Sequence, residues 1–240
     1  MMAVLRSLAY ALFQFTVTPF YAIVALATFP LPLAARYRVI SLWARVMVRA
    51  ATAICGIRYR VIGTENIPDE PCIVLSNHQS AWETLFFQVV FPPQVWVLKR
   101  ELLWIPFFGW GLAMLEPIAI DRKAGTKALR QTYEQGSDRL SRGFWIVVFP
   151  EGTRVAPGED RPFQSGGAWL AVKAGATVLP VAHNAGHCWP RNAWKKRPGT
   201  ITVRIGEPIR PDGLTTAALN ARAEQWIKTA VRELDADEIA

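Results

Sequence analysis

Cysteine and histidine are both scarce: the 240 residues hold three of each. Cys55, Cys72 and Cys188 are scattered and odd in number, so no disulfide framework is implied and a reducing compartment is expected. No internal repeat and no low-complexity tract appears, which sets aside repeat architectures. No basic run interleaves with stacking aromatics, so the net charge of +8 does not describe a nucleic-acid module. Charge is also missing from one long stretch: residues 7–35 carry none. A chain that is 51% hydrophobic and basic points instead to an anionic lipid surface. The length allows one fair-sized domain, or a domain with an appendage.

The uncharged stretch is long enough to cross a bilayer. Pro19 interrupts it near the middle, and Pro30 and Pro32 end it. Each half, at 1.5 Å per residue, is roughly 16 to 20 Å long, which suits one leaflet better than two. A kinked or re-entrant anchor and a span both remain open. Ala25-Leu26-Ala27 resembles a signal-peptide cleavage site, but Arg6 is the only charge before an overlong apolar run, and a retained anchor is expected.

Residues 36–56 read as an amphipathic helix. Arg38, Ser41, Arg45, Arg49 and Thr52 share one face, with Val39, Ile40, Trp43, Met47, Ala50 and Ile54 opposite. Such a helix suits the headgroup level of anionic lipids, or equally a core contact with a solvated basic side. Arginines downstream of the apolar run place this side in the cytoplasm.

From about Arg58 short β-rich runs alternate with helical patterns. Strands are expected at 59–62, 72–75, 95–98, 117–120, 145–149, 178–182 and 200–205, and helices at 84–91, 126–140, 167–174 and 216–234. That alternation predicts an α/β fold, a mostly parallel sheet flanked by helices, preceded by an N-terminal helical membrane anchor. The division falls at residues 1–57 and 58–240. In such sheets chemistry gathers outside the carboxyl ends of the strands.

Two strand ends carry chemistry. The first delivers Asn77, His78, Gln79 and Ser80 to a turn before a helix that opens near Glu83. A carboxylate there could fix the tautomer of His78 and stabilise its imidazolium. Five residues along one helix is about 140° of rotation, so the pair forms only if His78 lies in the turn and Glu83 in the first helical turn. The same residues also spell a capping box, in which Glu83 reaches back to the Ser80 amide. The second strand end is Phe149-Pro150-Glu151-Gly152-Thr153-Arg154, a tight turn displaying a carboxylate, backbone amides and a planar guanidinium suited to phosphate or carboxylate. Its bland alternative is a charged turn with a surface Glu-Arg pair. Ala119 to Arg122 places another arginine just past a strand, and two such arginines make a phosphate clamp.

Together these segments resemble the glycerolipid acyltransferases, and specifically the bacterial 1-acyl-glycerol-3-phosphate acyltransferases. The first family motif is Asn77-His78 followed by four residues and an acid, here Glu83 where aspartate is usual. The second ends in Ile120-Asp121-Arg122, the third is the complete 149–154 turn, and the fourth is Val178-Leu179-Pro180-Val181. Residues 99–110 are also similar to the family, so the resemblance covers roughly residues 66 to 184. It implies acyl transfer from a thioester to the free hydroxyl of lysophosphatidic acid, with His78 as general base and Glu83 as its partner. The implied substrate-binding residues are Asn77, Lys99, Arg122, Glu151, Gly152, Thr153 and Arg154. No cofactor or metal is implied; acyl-CoA or acyl carrier protein would be the donor, membrane lipids the surroundings, and nucleic acid no partner. The location implied is the bacterial inner membrane, catalytic domain on the cytoplasmic side. Rival readings are a different lysolipid acceptor, such as lyso-ornithine lipid, or a non-catalytic membrane-surface scaffold.

Three further segments have weaker readings. The aromatic block at 104–110 could line an acyl tunnel, face lipid or be plain core. His183, His187 and Cys188 mimic metal ligands, but Gly186 breaks any helix that would align the histidines. Lys195-Lys196-Arg197 reads as a solvated or lipid-facing loop.

Overall fold

The computed structural model describes residues 1–121, 125–191 and 193–239, the side chains of 126–128 and 238–239 apart. Two long helices come first, α1 (Met2–Ala27) and α2 (Leu33–Cys55). The body then runs β1 (Ile57–Ile62), β2 (Ile73–Ser76), α3 (Trp82–Val90), β3 (Gln94–Lys99), α4 (Phe108–Ala113) and β4 (Ile118–Ile120). It continues with α5 (Thr126–Ser141), β5 (Trp145–Val148), α6 (Gly166–Ala174), β6 (Val178–His183), α7 (Ala185–Cys188), β7 (Gly199–Ile205) and α8 (Thr216–Ile239). All seven expected strands form, with ends within two residues of the expected ones.

The strands make one sheet in the order β1-β7-β6-β2-β5-β3-β4, parallel throughout except between β6 and β7. β2 is buried over its whole length, as its run of Ile73, Val74 and Leu75 dictates for a strand covered on both faces. It lies between β5 and β6, with Leu75 opposite Val148 on one side and Pro180 on the other. The carboxyl ends of these three strands therefore open at one rim.

Pro19 does not break α1. Its missing N–H removes one internal hydrogen bond, yet the helix runs through it, held on α2 and α4 by contacts on both sides of the proline. Tyr10 Oη donates to the Met47 carbonyl at 3.4 Å, and the Trp43 indole donates to Thr18 Oγ1 at 3.3 Å. The same packing shifts the buried stripe of α2. Arg38, Arg45 and Arg49 are exposed as expected, but Ser41 is buried in line with Tyr37, Ala44, Val48, Ala51 and Cys55. Its hydroxyl is satisfied locally by the Arg38 carbonyl at 3.3 Å, so a serine fits on the core side at little loss. At the other end of the arginine face, Glu116 of the α4–β4 connection gathers Arg36 of α2 at 2.5 Å and Arg142, just past α5, at 3.1 Å.

Candidate active site

The turn after β2 and the first turn of α3 bring His78 and Glu83 together. His78 Nδ1 donates to Glu83 Oε1 at 2.7 Å, and the same oxygen accepts the Ser80 amide at 2.8 Å and the Gln79 amide at 3.0 Å. The orienting and capping readings of Glu83 are thus one arrangement. A single carboxylate oxygen serves both. Ser80 Oγ completes the local cap by accepting the Trp82 amide at 3.1 Å.

Glu83 is fully buried, which opposes ionisation. The neighbouring His183 and His78 rings and the Ser80 amide outweigh that burial and hold its carboxyl below the ordinary value. A carboxylate on Nδ1 selects the tautomer of the neutral imidazole in which Nδ1 carries the proton and Nε2 is the acceptor. Phe149 stacks on the ring with centroids 4.1 Å apart and planes 15° from parallel, which clamps its orientation.

Behind His78 lies a layer of fixed polar groups. Asn77 is buried and its amide is consumed by β6: its Nδ2 donates to the His183 carbonyl at 2.9 Å, and its Oδ1 accepts the His183 amide at 3.0 Å. His183 Nε2 donates to the Asn77 carbonyl at 2.9 Å. Burial lowers the pKa of His183 despite the pull of Glu83. His187 pairs instead with Asp235 of α8 at 2.8 Å, so the apparent ligand cluster is split between two separate polar contacts. Glu151 also sits behind the site, with its carboxylate accepting the His78 amide at 2.8 Å. Burial pushes its pKa up to about 8.

The turn carrying Glu151 closes with Gly152 N–H donating to the Phe149 carbonyl at 3.0 Å, and Gly152 has φ +73°, a left-handed conformation that favours glycine. Val155 N–H then donates to the His78 carbonyl at 2.7 Å, tying the turns after β2 and β5 together.

His78 opens onto a cavity of about 580 Å³. At the strand rim the cavity is lined by Lys99, Gly152, Thr153, Arg154 and Arg191. Away from the rim it is walled by Ala22 and Ala25 of α1, Ile40 and Trp43 of α2, and Leu85 of α3. The aromatic block divides: Ile105, Phe107 and Phe108 line the cavity, whereas Trp104 is 70% exposed. A second, polar cavity of about 420 Å³ adjoins the rim and shares Lys99, Gly152, Thr153 and Arg191 with the first. Of the implied substrate-binding residues, Lys99, Gly152, Thr153 and Arg154 thus line the main cavity, Asn77 and Glu151 lie behind His78, and Arg122 falls outside the described residues. Arg161, Arg191 and His183 were not singled out for this site from the sequence, and no local motif marks them.

Lys196 departs from its expected loop role. It is buried, with its ammonium 4.3 Å from the Trp189 ring centre and 4.8 Å from that of Tyr10, so it pins α1 to the body. Lys195 and Arg197 remain exposed.

A family model described as Acyltransferase matches residues 58–184. A 1-acyl-sn-glycerol-3-phosphate acyltransferase of Pseudomonas aeruginosa is 50% identical over 208 residues, covering 85% of this chain and 81% of that protein. The chain belongs to the acyltransferase family. The human 1-acyl-sn-glycerol-3-phosphate acyltransferase alpha is 32% identical over 201 residues, covering 80% of this acyltransferase and 70% of its own length. The crystal structure of the 1-acyl-sn-glycerophosphate acyltransferase PlsC from Thermotoga maritima matches with a TM-score of 0.81 at 30% identity, covering 97% of this chain and 96% of that one. The family match spans the turns after β2 and β5, which carry His78 and Gly152, Thr153 and Arg154 of the rim.

Proposed function

We propose that this acyltransferase moves a fatty acyl group from a thioester to the free sn-2 hydroxyl of lysophosphatidic acid, with His78 as general base. The observation that carries the reading is a histidine, oriented by a buried carboxylate, at the cationic rim of a largely apolar cavity. His78 Nε2 takes the proton of the acceptor hydroxyl as its oxygen attacks the thioester carbonyl, and the imidazolium is stabilised by Glu83. The tetrahedral intermediate collapses with loss of the thiolate, which recovers the proton from His78. Lys99 and Arg154 hold the acceptor phosphate, and the apolar arm takes an acyl chain. A cavity of about 580 Å³ lies within the ordinary size range for a bound small molecule. Acyl-CoA and acyl carrier protein are both suitable donors.

The apolar side chains of α1 that face away from the body support a membrane-seated enzyme. Leu5, Leu8, Leu12 and Phe15 recur at three- and four-residue spacing, share a face and are exposed. α1 is long and apolar enough to cross a membrane by length and composition. Its contacts with the body from Ser7 to Ala25 favour a helix lying along the protein and in one leaflet, beside the exposed arginines of α2. We place it on the cytoplasmic face of a bacterial inner membrane.

The test is a panel of lysolipid acceptors against one labelled acyl donor. Lysophosphatidic acid should be preferred, and Arg154→Ala should raise its KM more than it lowers kcat, because acceptor binding is what is removed. Preference for a phosphate-free lysolipid such as lyso-ornithine lipid, or an unchanged KM, would reject the acceptor assignment. Replacing Leu12 and Phe15 by glutamate tests the membrane face without deleting a cavity wall; undiminished pelleting with anionic vesicles would contradict it.

A further inference from the structure

The reaction brings two anionic groups to the enzyme, and the structure offers two differently lined recesses for them. Among the described residues the second cavity is lined by polar side chains and one glycine: Lys99, Arg161 and Arg191 supply cations, Glu101 and Asp121 carboxylates, with Gly152 and Thr153 beside them. No apolar side chain lines it among the described residues, which suits a polar group better than an acyl chain. Arg161 lines this cavity and not the one holding His78, whereas Arg154 lines the His78 cavity alone. Among the described residues Arg161 makes no ion pair; the carboxylate of its neighbour Asp160 is engaged by Lys228 at 2.5 Å.

Lysophosphatidic acid carries its free hydroxyl and its phosphate ester on adjacent carbons. A hydroxyl in reach of His78 therefore keeps the phosphate within the same cavity, close to Arg154 and Lys99. The thioester carbonyl of the donor must also meet His78. Its carrier arm, however, is a long polar chain that places a phosphate many bonds away from the reacting carbon. We infer that the second cavity receives this phosphate, the one that ends the pantetheine arm of the acyl donor, with Arg161 as its dedicated cation and Arg191 at the junction between the two recesses. The shared lining of Lys99, Gly152 and Thr153 gives the arm a continuous path from that phosphate to the thioester. The inference rests on the acyl-transfer reading and adds to it which residues hold which substrate.

Two donors that differ only in this phosphate test it: an acyl-phosphopantetheine and the corresponding acyl-pantetheine, given to the full chain in detergent with lysophosphatidic acid as acceptor. Arg161→Glu should lower the ratio of kcat/KM for the phosphorylated over the unphosphorylated donor by about tenfold, the scale of one charge-assisted contact. Arg161→Lys should restore most of that ratio. The KM for lysophosphatidic acid should not move. Acyl-CoA and acyl carrier protein both contain this phosphate, so both should lose efficiency in Arg161→Glu. An unchanged donor ratio, a raised KM for lysophosphatidic acid, or a loss confined to one of the two natural donors would each overturn the inference. Equilibrium binding of coenzyme A, which needs no turnover, should weaken in step. Wild-type protein that transfers no acyl group yet binds coenzyme A through Arg161 would refute the proposed reaction while sustaining this site.

Discussion

Glu83→Gln removes one negative charge and leaves the side-chain shape almost unchanged. Glu83 Oε1 accepts from His78 Nδ1, Ser80 N and Gln79 N, and an amide oxygen can keep all three contacts. What disappears is the charge facing the imidazolium across 2.7 Å. At an effective dielectric of about 20 that attraction is worth ~6 kcal/mol before the loss of hydration is set against it. General-base steps that depend on an oriented histidine lose about 10²–10⁴ in rate when their support fails, or about 3–5 kcal/mol. The kcat for acyl transfer should therefore drop by at least about 100-fold. The KM for lysophosphatidic acid should stay within about twofold, because Glu83 does not line the cavity. A stability effect accompanies this: Glu83 Oε2 is buried with no hydrogen-bond partner among the described residues. An amide NH₂ placed there strands its donors at about 1–3 kcal/mol, visible as a lower Tm. Single-turnover assays with a labelled donor, run below that Tm, separate chemistry from folding. A kcat within about threefold of the wild type would refute the charge role and leave Glu83 only as a cap.

Glu151 holds its proton up to about 8 in the folded protein against an ordinary 4.5, so the folded state binds more protons between those values. Its contribution to stability is complete below about 4.5 and declines as pH rises toward about 8; Glu151→Gln keeps an acceptor for the His78 amide and should flatten that decline in urea titrations, and an unaltered slope would refute the assignment. A Cβ built on Gly111 meets only Ala25 Cβ, at 3.7 Å, so Gly111→Leu should extend into the cavity without disturbing backbone. Selectivity should then shift toward shorter acyl donors by about tenfold in kcat/KM, and an unchanged chain-length profile would place the acyl chain elsewhere. Lys196→Met keeps the bulk under Tyr10 and Trp189 but removes the cation, which should lower stability by about 1–2 kcal/mol; unaltered protease resistance of α1 would show that the cage carries no such load.

Much of the frame was legible in the residue order. Seven short runs of β-branched and apolar residues, with helices between most of them, sufficed for a mostly parallel sheet, because burial on both faces leaves little choice of residue in the central strands. The contents of the His78 turn and of the turn at 149–154 were equally plain, since local motifs carry their own spacing. The short α4 was missed: six residues rich in glycine and aromatics hold too little periodicity to read, and its docking on α1 is what accounts for it. Ser41 was read on the arginine face and Lys196 in a solvated or lipid-facing loop, and tertiary neighbours put both inside.

The sequence by itself determined which strands form and which two strand ends carry the chemistry, because periodicity and turn chemistry act over a few residues. Only the tertiary structure decided the partnerships. Strand order alone sets β2 between β5 and β6, bringing Glu151 under the His78 amide and His183 against Asn77. Helix packing likewise turned an apolar N-terminal helix into the wall of a cavity, and loop closure carried Arg191 to its rim and Arg161 to the adjoining polar cavity. Such contacts join residues far apart in the chain, where no local spacing records them.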